Sequence, residues 1–310
     1  MGLKRTVRNT LCWSLASGLI LLGYIKRARQ KALRDNAIIS FYFHNPNRNL
    51  FRKLVAWFKD NGYTIISYDE LIDIINKKIA CPGGAVWISL DDGWKENLDN
   101  VIPVVVEYNI PVTFYICTDA VENGMFWWTK AKASSRLLPR ELRQAEALRR
   151  LPEQQRKQII NQLNQLTPPD AYEREAMTVD DVRYISSLPQ VTIGSHTISH
   201  PVLPNCTDNE IDYEMGESKK KLEDWTGKPV KSFSYPNGAF NGNERQFLEK
   251  HGYELAVTDE GRFADLSDDC YLFPRADIMD DGSFAENLCH ALNVWEPVIK
   301  RFKRIIKLGR

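Results

Sequence analysis

Two aspartates, Asp91 and Asp92, close the apolar run Ala85-Val-Trp-Ile-Ser-Leu90 and are followed at once by Gly93. Further along, His196-Thr-Ile-Ser-His200 closes a second apolar run, Val191-Thr-Ile-Gly194. One carboxylate and two imidazoles make a ligand set for a divalent metal, with the other carboxylate left over as a base. That set suits hydrolysis by a water the metal polarises. Each half alone is ambiguous. Asp-Asp-Gly also serves as a loop, a helix cap or the metal-binding pair of a sugar-nucleotide transferase. His-x-x-x-His brings two rings to one face if it forms a helical turn. The conjunction is more informative, because both elements end a strand and fit one mouth of one sheet. A glycosyltransferase would leave the histidines without a task.

The elements that position these residues alternate. Ala37 to Phe43 reads as a buried strand ending at His44, followed by a helix from Leu50 to Asp60 that Asn61-Gly62 stops. Tyr63 to Ser67 is a second strand, Tyr68 to Lys78 a helix, and Ala85 to Leu90 the third strand. A helix from Leu98 to Tyr108 and a strand from Ile110 to Ile116 follow. Further strands are expected at Val191–Gly194, Ser232–Tyr235 and Glu254–Val257, and Thr178 caps a short helix with Asp180 and Asp181 in its first turn. This alternation implies parallel strands with crossover helices, doubly wound or closed into a barrel. Both architectures gather catalytic groups at the C-terminal ends of the strands. The rhythm breaks over about 126–175, where Pro139 to Leu166 is charged, glutamine-rich and helical in period, interrupted by Pro152. This is an inserted helical excursion, either a lid or substrate rim or a solvated decoration.

The composition, 43% hydrophobic and 26% charged over 310 residues, excludes wholesale disorder. Net charge is only +1, but it is unevenly placed. Residues 1–34 carry eight basic side chains and no acidic one, and residues 296–310 carry six against Glu296. The middle keeps 27 basic and 39 acidic side chains, a surplus that disfavours nucleic acid as partner. Basic ends on an acidic body point to an anionic surface. Leu11 to Ile25 is uncharged and mostly apolar, with Trp13 and Tyr24 near its ends. As a helix it would span roughly 22 Å, short of the roughly 30 Å hydrocarbon core. Lys26-Arg27-Ala-Arg29 follows where a cleaved leader would need small residues. Residues 1–35 are therefore expected to anchor the chain at a membrane, spanning it or lying half-buried in its interface. Residues 36–282 form the catalytic domain. In 283–310, Leu288, Leu292, Trp295, Ile299, Phe302 and Ile306 recur at helical steps among basic residues, either as a terminal helix packed on the domain or as a basic amphipathic helix on the membrane. The six scattered cysteines show no disulfide framework or zinc-site spacing and favour the cytoplasmic face, with a periplasmic or extracellular one left open.

On three ordered motifs the chain resembles the polysaccharide deacetylases, the NodB-homology domains of carbohydrate esterase family four. Ser89-Leu-Asp-Asp-Gly93 is similar to the family's Thr-Phe-Asp-Asp-Gly, and His196-Thr-Ile-Ser-His200 to its His-Ser/Thr-x-x-His. Phe233-Ser-Tyr-Pro-Asn-Gly238 is similar to its third motif, commonly arginine-rich before Pro-Tyr-Gly. The likeness runs from about Asn36 to Arg275. It implies an α/β fold, a distorted (β/α) barrel, and removal of N-acetyl groups from amino sugars of a glycan; the basic, apolar termini alone add the bacterial cell membrane as the setting, so that the expected substrates are a surface polysaccharide, an oligosaccharide or a lipid-linked sugar. It further implies that Asp92, His196 and His200 hold the metal, most often zinc, and that Asp91 is the general base. A backbone N–H at Asn237 would help hold the oxyanion, and Arg275 would keep Asp91 ionised. The chain departs from the pattern at Asn237, where an aromatic residue is usual, and at Phe233 and Ser234, where arginine is expected. The family's late Leu-x-His is matched in letters only by Leu288-Cys-His290, inside the terminal amphipathic segment. His44, at the end of the first strand, is the better general acid, and His251 a helix-end charge. Two alternatives share these residues: a deformylase or other amide hydrolase of a lipid-linked sugar, and a glycan-binding pseudoenzyme at the membrane.

Overall fold

The computed structural model describes residues 2–34, 37–166 and 172–300. The chain divides into two compact units. The first comprises Met1–Leu90, Asp99–Thr113 and Asp259–Arg310, the second Asp91–Leu98 and Phe114–Thr258.

In the first unit, β1 (Ile39–Phe43) lies between β3 (Ala85–Leu90) and β8 (Ala276–Asp277), parallel to both, with Ile39 opposite Val86 and Phe41 opposite Ala276. Every residue of β1 and β3 is buried, which is why both read as continuous apolar runs rather than alternations. Helix α3 (Arg48–Asp60) starts where the Asn47 side chain accepts the Leu50 N–H and places Phe51 and Phe58 against Phe43 and Phe41. Strand β2 is only Thr64–Ile65, shorter than expected, and pairs with β3. Helix α4 (Tyr68–Ile75) opens on a capping box of Ser67 and Glu70. The helix expected from Leu98 to Tyr108 is two, α5 (Asn97–Asn100) and α6 (Ile102–Tyr108), because Pro103 has no N–H to continue a ladder across the join.

The N-terminal segment is α1 (Gly2–Leu21) and α2 (Tyr24–Arg34), interrupted at Gly23, whose φ of +78° suits glycine. No helix among the described residues is long and apolar enough to cross a membrane. Ala16 and Leu19 of α1 are buried, and Arg8 forms a 2.7 Å ion pair with the buried Glu286 of α14 (Phe284–Ala291). The terminal apolar stripe differs from a single amphipathic helix. It breaks at Asn293 (φ +50°) before helix resumes at 295–300, and Leu288, Leu292 and Trp295 are buried in the protein. Phe302 and Ile306 lie outside the described residues.

Strand β4 (Val112–Ile116) begins in the first unit and ends in the second, which also holds β5 (Val191–Ser195), β6 (Ser232–Ser234) and β7 (Leu255–Val257). Strand β6 is parallel to both β5 and β7, with Ser195 opposite Phe233 and Phe233 opposite Ala256. Gly194 is required by close packing: a Cβ there would lie 2.5 Å from the Tyr115 ring and 2.8 Å from Ser232 Oγ. Around these strands stand α7 (Thr118–Asn123), α11 (Val179–Ser187), α12 (Asp208–Thr226) and α13 (Arg245–Lys250). Thr178 caps α11 as expected, reciprocally with Asp181. The excursion is α8 (Trp127–Ala133), α9 (Ala145–Arg149) and α10 (Glu153–Leu166), with α10 starting just after Pro152. It has an apolar core of its own, Trp127, Ala131, Leu138, Leu148 and Leu163. That core makes it a packed element rather than a solvated decoration.

Candidate metal centre

Asp91 and Asp92 follow directly on β3, in a turn where Asp92 and Gly93 both take positive φ (73° and 91°). The turn is pinned by three backbone bonds: Gly93 N–H to Asp91 O, Cys117 N–H to Asp92 O, and Met177 N–H to Gly93 O. Both carboxylates are 97% buried, and they face different partners. Asp91 Oδ2 accepts the Ser234 hydroxyl at 3.0 Å from the end of β6. Asp92 Oδ2 accepts the Trp94 indole N–H at 3.0 Å, and its Oδ1 lies 3.5 Å from Nε2 of His196 and 3.5 Å from Nε2 of His200.

Those two separations are long for hydrogen bonds and right for a shared ion. Ligand atoms about 2.1 Å from a tetrahedral zinc stand about 3.4 Å apart. Asp92, His196 and His200 thus offer three buried donor atoms, all within 4.8 Å of one another, and the residues fit a divalent metal. The histidines are prepared for it. His196 Nδ1 is 2.8 Å from Ser234 O, which can only accept, so Nδ1 donates there and Nε2 is the nitrogen turned toward Asp92. Burial, reinforced by neighbouring His196, pushes the His200 pKa down to about 3, so its ring is neutral in ordinary buffers.

The two histidines are not on a helical turn. Residues 196–200 form a loop, with Thr197 and His200 at positive φ (66° and 52°), and it is this loop that turns both rings toward Asp92. Asn237 lies in the same unit, exposed, at φ +57° in the short turn Pro236–Gly238. His44 and Arg275 belong to the other unit. There Arg275 is buried, donates to Ser89 Oγ at 2.8 Å and stacks 4.2 Å from the Tyr42 ring centre. The backbone N–H of His44 donates to Asp280, and its ring packs edge-on against Tyr42. His251 bonds Asp212 at 2.7 Å, and His290 is largely buried against Trp295.

Three contributors were not found from sequence. Trp94 orients Asp92, Ser234 joins Asp91 to the third motif, and the partly exposed Trp128 lies against the His200 ring with centroids 4.6 Å apart. Trp94, Phe126 and Trp128 form a continuous aromatic stack beside the ligands. The run Phe126-Trp-Trp128 at the mouth of the insertion was the available signal.

Comparison with known proteins bears on the family and the fold. The family model described as polysaccharide deacetylase matches residues 78–256, more than half of the chain. The chain is 22% identical over 225 residues to a Bacillus subtilis protein assigned to the polysaccharide deacetylases, YxkH, covering 73% of this chain and 62% of that one. It is 21% identical over 241 residues to a poly-β-1,6-N-acetyl-D-glucosamine N-deacetylase of Staphylococcus aureus, covering 77% of this chain and 69% of that one. The chain thus spans less than two thirds of the Bacillus relative's length. Among solved structures, Streptococcus pyogenes deacetylase PplD in complex with acetate superposes with a TM-score of 0.60 at 18% identity, over 82% of this chain and 96% of that one. IcaB from Ammonifex degensii superposes with a TM-score of 0.58 at 15% identity, over 83% and 97%.

Proposed function

Because the chain belongs to the polysaccharide deacetylase family and has the distorted (β/α) barrel of its NodB-homology domains, we propose that it is a metal-dependent hydrolase removing N-acetyl groups from amino sugars of a glycan. The observation that carries this reading is the buried Asp92–His196–His200 triangle with Asp91 beside it, its Oδ2 4.0 Å from His196 Nε2. Asp92, His196 and His200 would hold the metal, for which zinc is the best candidate, and its charge would polarise the acetamide carbonyl and acidify the attacking water. Asp91 takes the water's proton, and Ser234 holds the carboxylate in place for it. Addition of the water oxygen to the acetamide carbon forms the C–O bond and a tetrahedral oxyanion; the C–N bond then breaks as the nitrogen takes a proton from the acid, giving acetate and a free amine, and the proton held by Asp91 restores the acid. The proposed acid is His44, the proposed oxyanion donor the backbone N–H of Asn237, and the proposed task of Arg275 is to keep Asp91 ionised. Trp128 supplies a flat apolar face on which a sugar ring stacks.

The decisive products are acetate and a primary amine in equal amounts from N-acetylglucosamine oligosaccharides of β-1,4 and β-1,6 linkage. Formate from an N-formyl sugar, with no acetate from any N-acetyl sugar, would reassign the chain as a deformylase on the same centre.

We further propose that the enzyme works at a membrane surface, which makes a lipid-linked sugar an attractive substrate. Val7, Leu11, Trp13, Leu21 and Leu22 of the N-terminal segment are 50–87% exposed, while Ala16 and Leu19 are buried. The basic residues Lys26, Arg27, Arg29 and Lys31 follow in α2. An apolar face flanked by positive charge suits an anionic bilayer, entered to the depth of the headgroups. The full chain should sediment with vesicles containing phosphatidylglycerol, less at high salt, and Leu11→Ser/Leu21→Ser/Leu22→Ser should remain in the supernatant. Wild-type protein that ignores anionic vesicles would contradict this.

A further inference from the structure

The loop that carries both histidines has no secondary structure of its own, and a threonine at positive φ is a costly conformation for a β-branched residue. It persists because every backbone polar group in it is matched from outside or by a local hydroxyl. His196 N–H donates to Ile116 O, while the carbonyls of Thr197 and Ile198 accept from Thr118 and Asp119. Thr197 Oγ1 donates to His196 O and accepts from His200 N–H, and Ser195 Oγ accepts from Thr197 N–H.

The remaining groups are matched by charged and aromatic side chains brought from a distance. Glu214 of α12, fully buried, accepts Ile198 N–H and Ser199 N–H at 2.9 Å each through Oε2, and Ser199 Oγ at 2.7 Å through Oε1. Lys157 of α10 neutralises that carboxylate at 3.0 Å. Arg156 of α10, 2% exposed, grips buried Glu153 with two bonds of 2.8 and 2.6 Å and reaches Ser199 O and Oγ at 3.3 Å each. Its guanidinium lies 4.6 Å from the Trp127 ring centre, and Trp127 Nε1 donates to His200 O at 3.1 Å.

Lys157, Arg156, Glu153 and Trp127 all belong to the helical insertion. Burying so many charges is unfavourable unless each is paired and its bonds are short, as they are here. What this arrangement achieves is a fixed loop. We infer that Glu214 is a positioning residue for the metal ligands, and that the insertion acts through the Glu153–Arg156 pair as a clamp that holds His196 and His200 at metal-binding geometry. This rests on the metal reading above and assigns the insertion a task in assembling the centre. Glu214 touches neither substrate nor metal and acts only through the loop.

The test measures zinc affinity by chelator competition and the visible absorption of the cobalt-substituted protein, which reports ligand geometry. Two variants are compared with wild type: Glu214→Gln, and Glu153→Gln/Arg156→Met, which removes both charges together and leaves no unpaired carboxylate. The double variant also guards against a Glu214→Gln chain that fails to fold. Each is expected to bind zinc ~10–100-fold more weakly, with an altered cobalt spectrum and a kcat that falls more than KM rises. Folded variants with wild-type zinc affinity and an unchanged cobalt spectrum would overturn the clamp while leaving the metal centre intact. A wild-type protein that takes up no zinc would overturn the metal reading, and the clamp with it.

Discussion

Asp91→Asn cuts turnover sharply while zinc stays bound. The side chain is 97% buried and one of its oxygens accepts the Ser234 hydroxyl at 3.0 Å, a bond an amide oxygen can also accept. The substitution therefore preserves shape and packing and removes the charge and the group that takes a proton. Loss of a general base costs about 10²–10⁴-fold in rate. The expected result is a kcat lower by that factor, with KM and zinc content near wild type, measured by acetate release and metal analysis on the same preparation. Full turnover in a zinc-loaded Asp91→Asn chain would place the base elsewhere.

His200→Ala gives the opposite signature, in which metal is lost first and activity follows. His200 supplies one of three donors, and among the described residues its neutral, 94% buried ring has no further member of the cluster to replace it. With two ligands left, zinc affinity should fall by more than about 10³-fold, since catalytic zinc is held by three protein groups. Activity should be undetectable at micromolar zinc and recover in part when excess zinc is supplied. Wild-type zinc affinity in this variant would remove His200 from the ligand set. The two variants together separate binding from chemistry, which either alone would leave confounded.

What the sequence revealed follows from what is local. Strands β1, β3 and β4 were legible because strands buried on both faces leave nearly unbroken apolar runs. The acidic pair and the histidines were legible because a strand end followed by ligand-type residues is itself a local pattern. Helix α12 was passed over although Thr207 and Glu210 form a capping box at its start, a signal present in the chain.

Other features are tertiary and have no local trace. The spacing of His196 and His200 suggested a helical turn, but the path of that loop is dictated by Glu214, whose own neighbours in sequence mark nothing. The terminal stripe of Leu288, Leu292 and Trp295 was equally compatible with packing on the domain or on a membrane. Its burial decides for the domain over the described residues, and the exposed apolar face belongs to α1 instead. Periodicity states that a face is apolar, and only the fold states what covers it. Trp94 illustrates the same limit, since an indole beside a ligand carries no sequence mark beyond its own presence, whereas Trp128 at least stands in the aromatic run Phe126-Trp-Trp128.

The most direct test of a metal-dependent deacetylase is stoichiometric reconstitution. Chelator-stripped wild-type protein is titrated with zinc while acetate release from an N-acetylglucosamine oligosaccharide is followed. Activity that is absent from the stripped protein and rises linearly to a plateau at one zinc per chain is the predicted result. Acetate release that persists in metal-free protein, or that never appears in a chain holding its zinc, would contradict the account.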